Sequence, residues 1–430
     1  MINKKNFAKL YVVLFSASIY MYWFDALDRS SIQYLLMSVI NFLSLITIPF
    51  IFKKIDIKKI FYDPLSLTYF GYLLFAFLSM TASINIIESF VKIFQLITFF
   101  FSLMIIVFIG KEKLIKINFI LYILFISLII DVFSSMWGYY QMSIRGIEYS
   151  YANINQLLGL FGNRNLLSLG LIFRIPLVVL LAIRINKVTL SILSFALLTV
   201  TFFNVILLSS RAALLSIIIC VIIILGSSLL RYIKLKKNFF SDNKLLFYFF
   251  ILPFIIAYVF SLNSIDSNDQ SYVTSRLSSI TSTNDESKNA RIGFYGHAIT
   301  QIKLTPILGC GIGNWKILSI KYDAENMENY VVPHNTHNDI LEAAAETGIP
   351  GGLFFISFFV FVFMLVYSCY KIYSDNSLVY NYSVILMLPL TIYLIDLNLN
   401  FPSSRPFFLY LLLMYIIIVY LFKSKINEKI

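Results

Sequence analysis

The chain is 430 residues long, 59% hydrophobic, 17% aromatic and 13% charged, with a mean hydropathy of +0.82. A soluble globular chain is nearer about 45–50% apolar and about 25% charged. A soluble enzyme, a secreted disulfide scaffold and a disordered chain are thereby excluded, and an integral membrane protein remains. The net charge of +12 does not indicate nucleic acid, because most lysines flank apolar segments, as membrane topology requires. Long Ile/Leu runs with 42 Phe and 28 Tyr fit an all-α polytopic bundle. A β-barrel would show alternating segments of about ten residues instead. Cys220, Cys310 and Cys369 lie far apart and form no CxxC pair, so neither a metal site nor a disulfide framework is expected.

Apolar runs of spanning length predict about twelve transmembrane helices. They centre on 8–24, 34–52, 66–82, 91–110, 114–133, 166–183, 188–208, 212–230, 245–263, 350–370, 379–397 and 407–422. The first has basic flanks but no small-residue cleavage site, so it reads as a helix and not as a removed signal. With the N-terminus placed inside, the inner segments carry 21 Lys and Arg and the short outer loops carry six. That bias predicts two cytoplasmic termini. It divides the chain into helices one to nine (1–263), a large, partly helical outer loop (264–349), and helices ten to twelve with a cytoplasmic tail (350–430).

Two arginines interrupt the spans. Arg174, in the FRIP segment, reads as structural or lipid-facing. Arg211 follows Ser209-Ser210 where two spans meet with almost no loop, at the outer boundary. A charge there needs an anionic partner or a route to water. It snorkels, pairs with Asp396, or clamps a pyrophosphate, which the guanidinium fork suits. Arg276 and Arg291 could join it from the loop.

The large loop holds all three histidines, His297, His334 and His337, and ten of the 22 acidic residues. Its stretch 264–287 is rich in Ser, Thr, Asn and Asp and reads as turns. Apolar Ile292, Ala298, Ile299 and Ile302 predict a helix over 289–302, ended by Thr305-Pro306. The Gly309-Gly311-Gly313 cluster after it follows no strand and is weak evidence for a dinucleotide site. The densest polar run is VVPHNTHNDILEAAAETGIPGG, 331–352. Asp339 with Glu342 has capping-box spacing, and Gly348 with Pro350 stops the helix. His337 then precedes a helix N-terminus, whose dipole favours a neutral ring able to accept a proton. The plainer alternative is a pair of structural, interfacial histidines.

His337-Asn338, nine residues, then Gly348-Ile349-Pro350-Gly351 resembles the signature of the O-antigen ligase and polymerase superfamily. SSRAALLS (209–216), NARIGFYGHAITQIKLTPILGCGIGNW (289–315) and GLFGNRNLLSLGLIFRIPL (159–177) resemble three further segments of that family. Together they cover roughly 160–352. The resemblance implies a GT-C-like glycosyltransferase of the bacterial inner membrane, needing no cofactor and no metal. Its partners would be an undecaprenyl-pyrophosphate-linked glycan as donor, a glycolipid or lipid-linked glycan as acceptor, and membrane lipids. On this resemblance His337 matches the general base. Arg211 and Arg291 match the pyrophosphate-binding arginines, and Arg276 and Arg164 match less closely, with Asn338 and His334 as supporting residues. The extra His334-Asn335 leaves open which histidine is the base.

The residue chemistry agrees with such a transfer. An acceptor hydroxyl must lose a proton, which histidine can take near neutral pH, and arginines can stabilise the departing pyrophosphate. Asp285-Glu286 and Asp323/Glu325 keep a metal-dependent transfer open. A ligase joining glycan to a lipid A core sugar and a polymerase share this donor site. A flippase or transporter is the alternative from another class, although its spans would carry more ionisable groups. Reporter fusions test the topology. A fusion at Asn284 and one at the C-terminus are expected to give opposite signals, and matching signals would overturn the inferred orientation.

Overall fold

The computed structural model describes residues 3–21, 29–52, 56–147, 149–236, 239–264, 286–323, 334–370, 374 and 376–427. The chain is an all-α polytopic membrane protein, with no strand among the described residues. The first helices are α1 (Lys4–Ser18), α2 (Arg29–Ile51), α3 (Ile57–Phe61), α4 (Pro64–Ser79), α5 (Ile86–Lys111) and α6 (Ile117–Ile144). Next come α7 (Arg164–Ile185), α8 (Val188–Leu208), α9 (Arg211–Leu235), α10 (Phe239–Leu246) and α11 (Leu252–Ser264). The rest are α12 (Glu286–Leu304), α13 (Trp315–Asp323), α14 (Asp339–Tyr367), α15 (Ser377–Leu397) and α16 (Pro406–Asn427). Eleven helical stretches among the described residues are long and apolar enough to cross a membrane. The expected first span is shorter than that: α1 has 15 residues.

Local chemistry sets several starts. Asp63 accepts from Leu65 N at 3.0 Å with Pro64 in the first turn of α4. Asn85 accepts from Ile87 N and Glu88 N at the start of α5. Asn163 accepts from Asn165 N and Leu166 N at the start of α7. Each satisfies amide donors that a helix end otherwise leaves open.

The chain divides by contact into two units. One comprises 1–116, 286–365 and 397–430. Its centre is α16, buried on nearly every side from Phe407 to Val419. Polar links tie its spans. Tyr410 donates to Ser16 Oγ at 3.0 Å, and Asn41 donates to Thr98 O and Ser102 Oγ. Buried Asp63 also receives the Tyr420 hydroxyl at 2.7 Å and pairs with Lys111 at 2.6 Å. Gly71 lets α14 lie close, since a Cβ there would meet the Phe354 ring at 2.4 Å.

The other unit comprises 117–285 and 366–396. Its centre is α7, buried along its whole apolar length and packed by α6, α8 and α9. Arg174, on α7, is fully buried and forms an ion pair with buried Asp131 of α6. Its Nε also donates to Gly170 O at 2.8 Å and its Nη1 to Ser127 Oγ at 3.0 Å. Of the two alternatives for Arg174, structural and lipid-facing, the structural one holds.

Breaking one partner of such a pair leaves a buried charge, which costs about 3–5 kcal/mol. Asp131→Ala is therefore expected to lower the melting temperature sharply in detergent. The double change Asp131→Leu with Arg174→Met is expected to recover most of the loss. A single Asp131→Ala as stable as the parent would contradict the pair's role.

Candidate active site

The predicted loop helix exists as α12, extending over 286–304. It is followed by a Gly-rich turn that has a structural task. Cys310 N donates to Ala345 O at 2.9 Å, Gly311 N to Glu346 O at 3.0 Å and Ile349 N to Pro306 O at 2.8 Å. The turn thus lies backbone to backbone against the end of the first helical stretch of α14. Gly309, Gly311 and Gly313 all have positive φ. A Cβ at Gly309 would meet Glu346 C at 2.4 Å, and one at Gly311 would meet Ser83 Oγ at 2.4 Å. The glycines are required by close packing and left-handed backbone, so the cluster offers no cradle of free amides for a phosphate. Gly348, with φ 74°, breaks α14 at this seat. A Cβ there would stand 2.2 Å from Ile307 O.

The break makes the stretch before it a separate short helix, and its start carries His337. The cap differs from the expected one. Asn338 Oδ1 accepts from Ile340 N at 3.1 Å and Leu341 N at 3.0 Å. Asp339 instead accepts from Ser403 N at 2.8 Å and from the Ser403 hydroxyl. Glu342 reaches back to accept from Thr336 N at 2.9 Å. The expected residue types are present, but the cap sits one residue earlier because an N-terminal asparagine satisfies two amides and Asp339 has a stronger use.

His337 has φ 57°, in the left-handed region that costs a side-chain-bearing residue about 1–2 kcal/mol. Its ring lies between Phe294 of α12, at 6.2 Å, and Phe401, at 5.3 Å edge to face. Its carbonyl accepts from the Tyr295 hydroxyl at 3.3 Å, which also reaches Asn398 O at 2.8 Å. Asn338 Nδ2 donates to Asn398 Oδ1 at 3.3 Å. Burial and then the nearby Arg291 guanidinium push the His337 pKa down from 6.5 to about 4. Both disfavour the charged ring. The expected direction holds, and its causes are burial and Arg291. Arg291, Phe294 and Tyr295 share one face of α12 through i, i+3 and i+4 spacing. That face meets the His337 turn.

Next to this turn is a small cavity. Lys92, Asp339, Glu342, Glu346 and Ser403 supply its polar lining, and Tyr72, Phe355 and Phe358 its aromatic wall. Glu346 also accepts from Trp315 N at 3.1 Å.

The remaining candidates separate. His297 stacks on Tyr322 at 5.6 Å, which stacks on Trp315, so it belongs to the packing of α12 against α13. His334 is exposed. Arg276 lies outside the described residues, as do Asp285 and Glu325. Arg211 and Arg164 belong to the other unit, each half-buried at the first position of its helix, α9 and α7. Sequence reasoning missed Tyr295, Phe294, Thr336, Lys92 and the segment 398–403. The i, i+3, i+4 spacing on α12 was a usable signal for the first two, and the polar run Asn398 to Ser404 between two spans was one for the segment.

Fold and site together define a polytopic, all-α membrane protein with a neutral histidine and an arginine gathered at the mouth of a broken helix. Residues 193–356 match the O-antigen ligase family, which supports the resemblance to the O-antigen ligase and polymerase superfamily. Arg211, Arg291 and His337 all fall inside the match, while Arg164 lies before it. No curated protein sequence matches the chain.

The histidine's state is measurable directly. Because its folded pKa of about 4 lies below the ordinary 6.5, the folded protein binds fewer protons in that window. Stability from this group is full above 6.5 and is lost as pH falls towards 4. In a variant with His297→Gln and His334→Gln, a histidine NMR titration reports His337 alone. Adding Arg291→Gln is expected to raise that pKa while leaving it below 6.5, since burial is the larger cause. An unchanged value would mean that Arg291 does not act on the ring.

Proposed function

We propose that this protein transfers a glycan from undecaprenyl pyrophosphate to a sugar hydroxyl of an acceptor such as lipid A core, at the outer face of the bacterial inner membrane. His337 takes the acceptor's hydroxyl proton. The freed oxygen attacks the anomeric carbon, and the bond from that carbon to the pyrophosphate oxygen breaks. The electron pair leaves with the lipid pyrophosphate, whose charge Arg211 and Arg291 stabilise. The step needs a base and fixed cations only, and no cofactor or metal enters it.

The observation that carries this reading is the neutral His337, held in a left-handed turn against Arg291 inside the segment that matches the O-antigen ligase family. A base must be unprotonated at working pH, and burial beside a guanidinium keeps it so. Arg211 supports the donor half. It occupies the first position of α9, where a helix's positive end and a guanidinium reinforce each other towards an anion. Arg276 and Arg164 are secondary candidates for the same task, and His334 and Asn338 would assist the base. Both termini would then be cytoplasmic.

Gene deletion followed by gel analysis of surface glycolipids tests the reaction. Loss of long glycan from the core supports a ligase, whereas core carrying a single repeat indicates a polymerase with the same donor site. Complementation with His337→Ala is expected to give no transfer, and donor binding is expected to persist because proton removal belongs to the transition state. Arg211→Lys is expected to restore little activity, since a point charge lacks the bidentate fork. Full activity in His337→Ala with loss in His334→Ala would move the base to the upstream histidine.

A further inference from the structure

The backbone of His337, with φ 57°, sits in the left-handed region that residues other than glycine seldom adopt. The His337 carbonyl is held by Tyr295, and the backbone groups of the residues on either side are held from within the turn. Thr336 is fully buried. Its N–H donates to Glu342 Oε2 at 2.9 Å, and its hydroxyl lies 3.3 Å from the same oxygen. That hydroxyl also donates to Asn338 O at 2.7 Å and accepts from Asn338 N at 3.1 Å. Thr336 and Asn338 are thus stitched together around His337, and the stitch is anchored on one carboxylate of α14.

We propose that Thr336 and Glu342 are positioning residues that hold His337 in its left-handed turn, with its ring between Phe294 and Phe401 and facing Arg291. The proposal rests on His337 acting as the base, and it assigns neither residue a contact with substrate. It also accounts for a carboxylate placed beside Asp339 and Glu346 in one cavity. Three acids so close repel one another. An apolar side chain would suit packing alone, whereas the Thr336 amide needs an acceptor oxygen at this position. Lys92 lines the same cavity and offsets part of the repulsion.

Release of the turn would let the ring leave its aromatic slot. The charged or titratable groups around it are Arg291 and Tyr295 from α12, Asp339 and Glu342 from α14, and Arg405 over the Phe401 ring at 5.5 Å. The ring would exchange burial for water and regain a more ordinary proton affinity.

The test uses the full-length protein in lipid nanodiscs and two readouts. One is the rate at which diethyl pyrocarbonate carbethoxylates His337, followed by mass spectrometry, which does not depend on transfer activity. The other is the pH profile of transfer. Thr336→Val removes the hydroxyl at nearly constant volume, and Glu342→Leu removes the acceptor while relieving acid repulsion, so neither is expected to prevent folding. Both are expected to raise labelling at His337 by about tenfold, to lower kcat by about tenfold with donor KM unchanged, and to move the acid limb up from near pH 4 towards 6.5. Thr336→Ser and Glu342→Gln, which keep the hydroxyl or a carbonyl acceptor, are expected to stay near the parent in both readouts. Parent-like labelling and an unmoved acid limb in Thr336→Val and Glu342→Leu would overturn the proposal. Should His337→Ala itself prove active, the base assignment fails, and the labelling rates still decide whether these two residues hold the turn.

Discussion

The site depends on a contact between two pieces of backbone. The turn at 309–313 lies directly against the end of the helical stretch before Gly348, through hydrogen bonds from Cys310 and Gly311 to Ala345 and Glu346. Side chains at Gly309 or Gly348 would drive the two apart. This contact ends one helix and allows the next to start in a new direction as a span. The residues before the break are thereby free of the membrane helix, and their N-terminus can carry His337 towards α12. A continuous helix would have no such end.

Around that end the chemistry is one of exclusion. Phe294 and Phe401 remove water from the ring, and Arg291 adds a repelling charge. The two effects have the same sign on the ring's proton affinity. One of them, the guanidinium, also suits an anionic donor. Under the proposed transfer, one cation would both discourage imidazolium and attract the donor's pyrophosphate.

Much of this was legible in the sequence. Composition gave the all-α membrane class, and the run from His334 to Gly352 marked the densest polar cluster. The spacing of Ile292, Ala298, Ile299 and Ile302 predicted α12. Other features were hidden because they depend on contacts distant in sequence. Nothing local distinguishes Asn338 from Asp339 as the cap. The choice is made by Ser403, over sixty residues away, which occupies Asp339. His297 has the same residue type as His337, and only its stack on Tyr322 shows that it belongs to helix packing. The glycines of 309–313 look like a phosphate loop until the helix end that fills their concave side is known.

The buried pair of Asp131 and Arg174 has a consequence for how the protein is made. A lone charged residue near the centre of a spanning helix costs about 2.5–3.5 kcal/mol on insertion scales. Asp131 and Arg174 lie on helices consecutive in the chain, α6 and α7, and each carries the neutralising partner of the other. If α6 entered lipid first and alone, it would meet its cost in full and α7 would meet another. If the two leave the insertion machinery as a preformed hairpin, the charges cancel before either faces hydrocarbon. The ion pair therefore favours delayed, joint release of these two helices during synthesis.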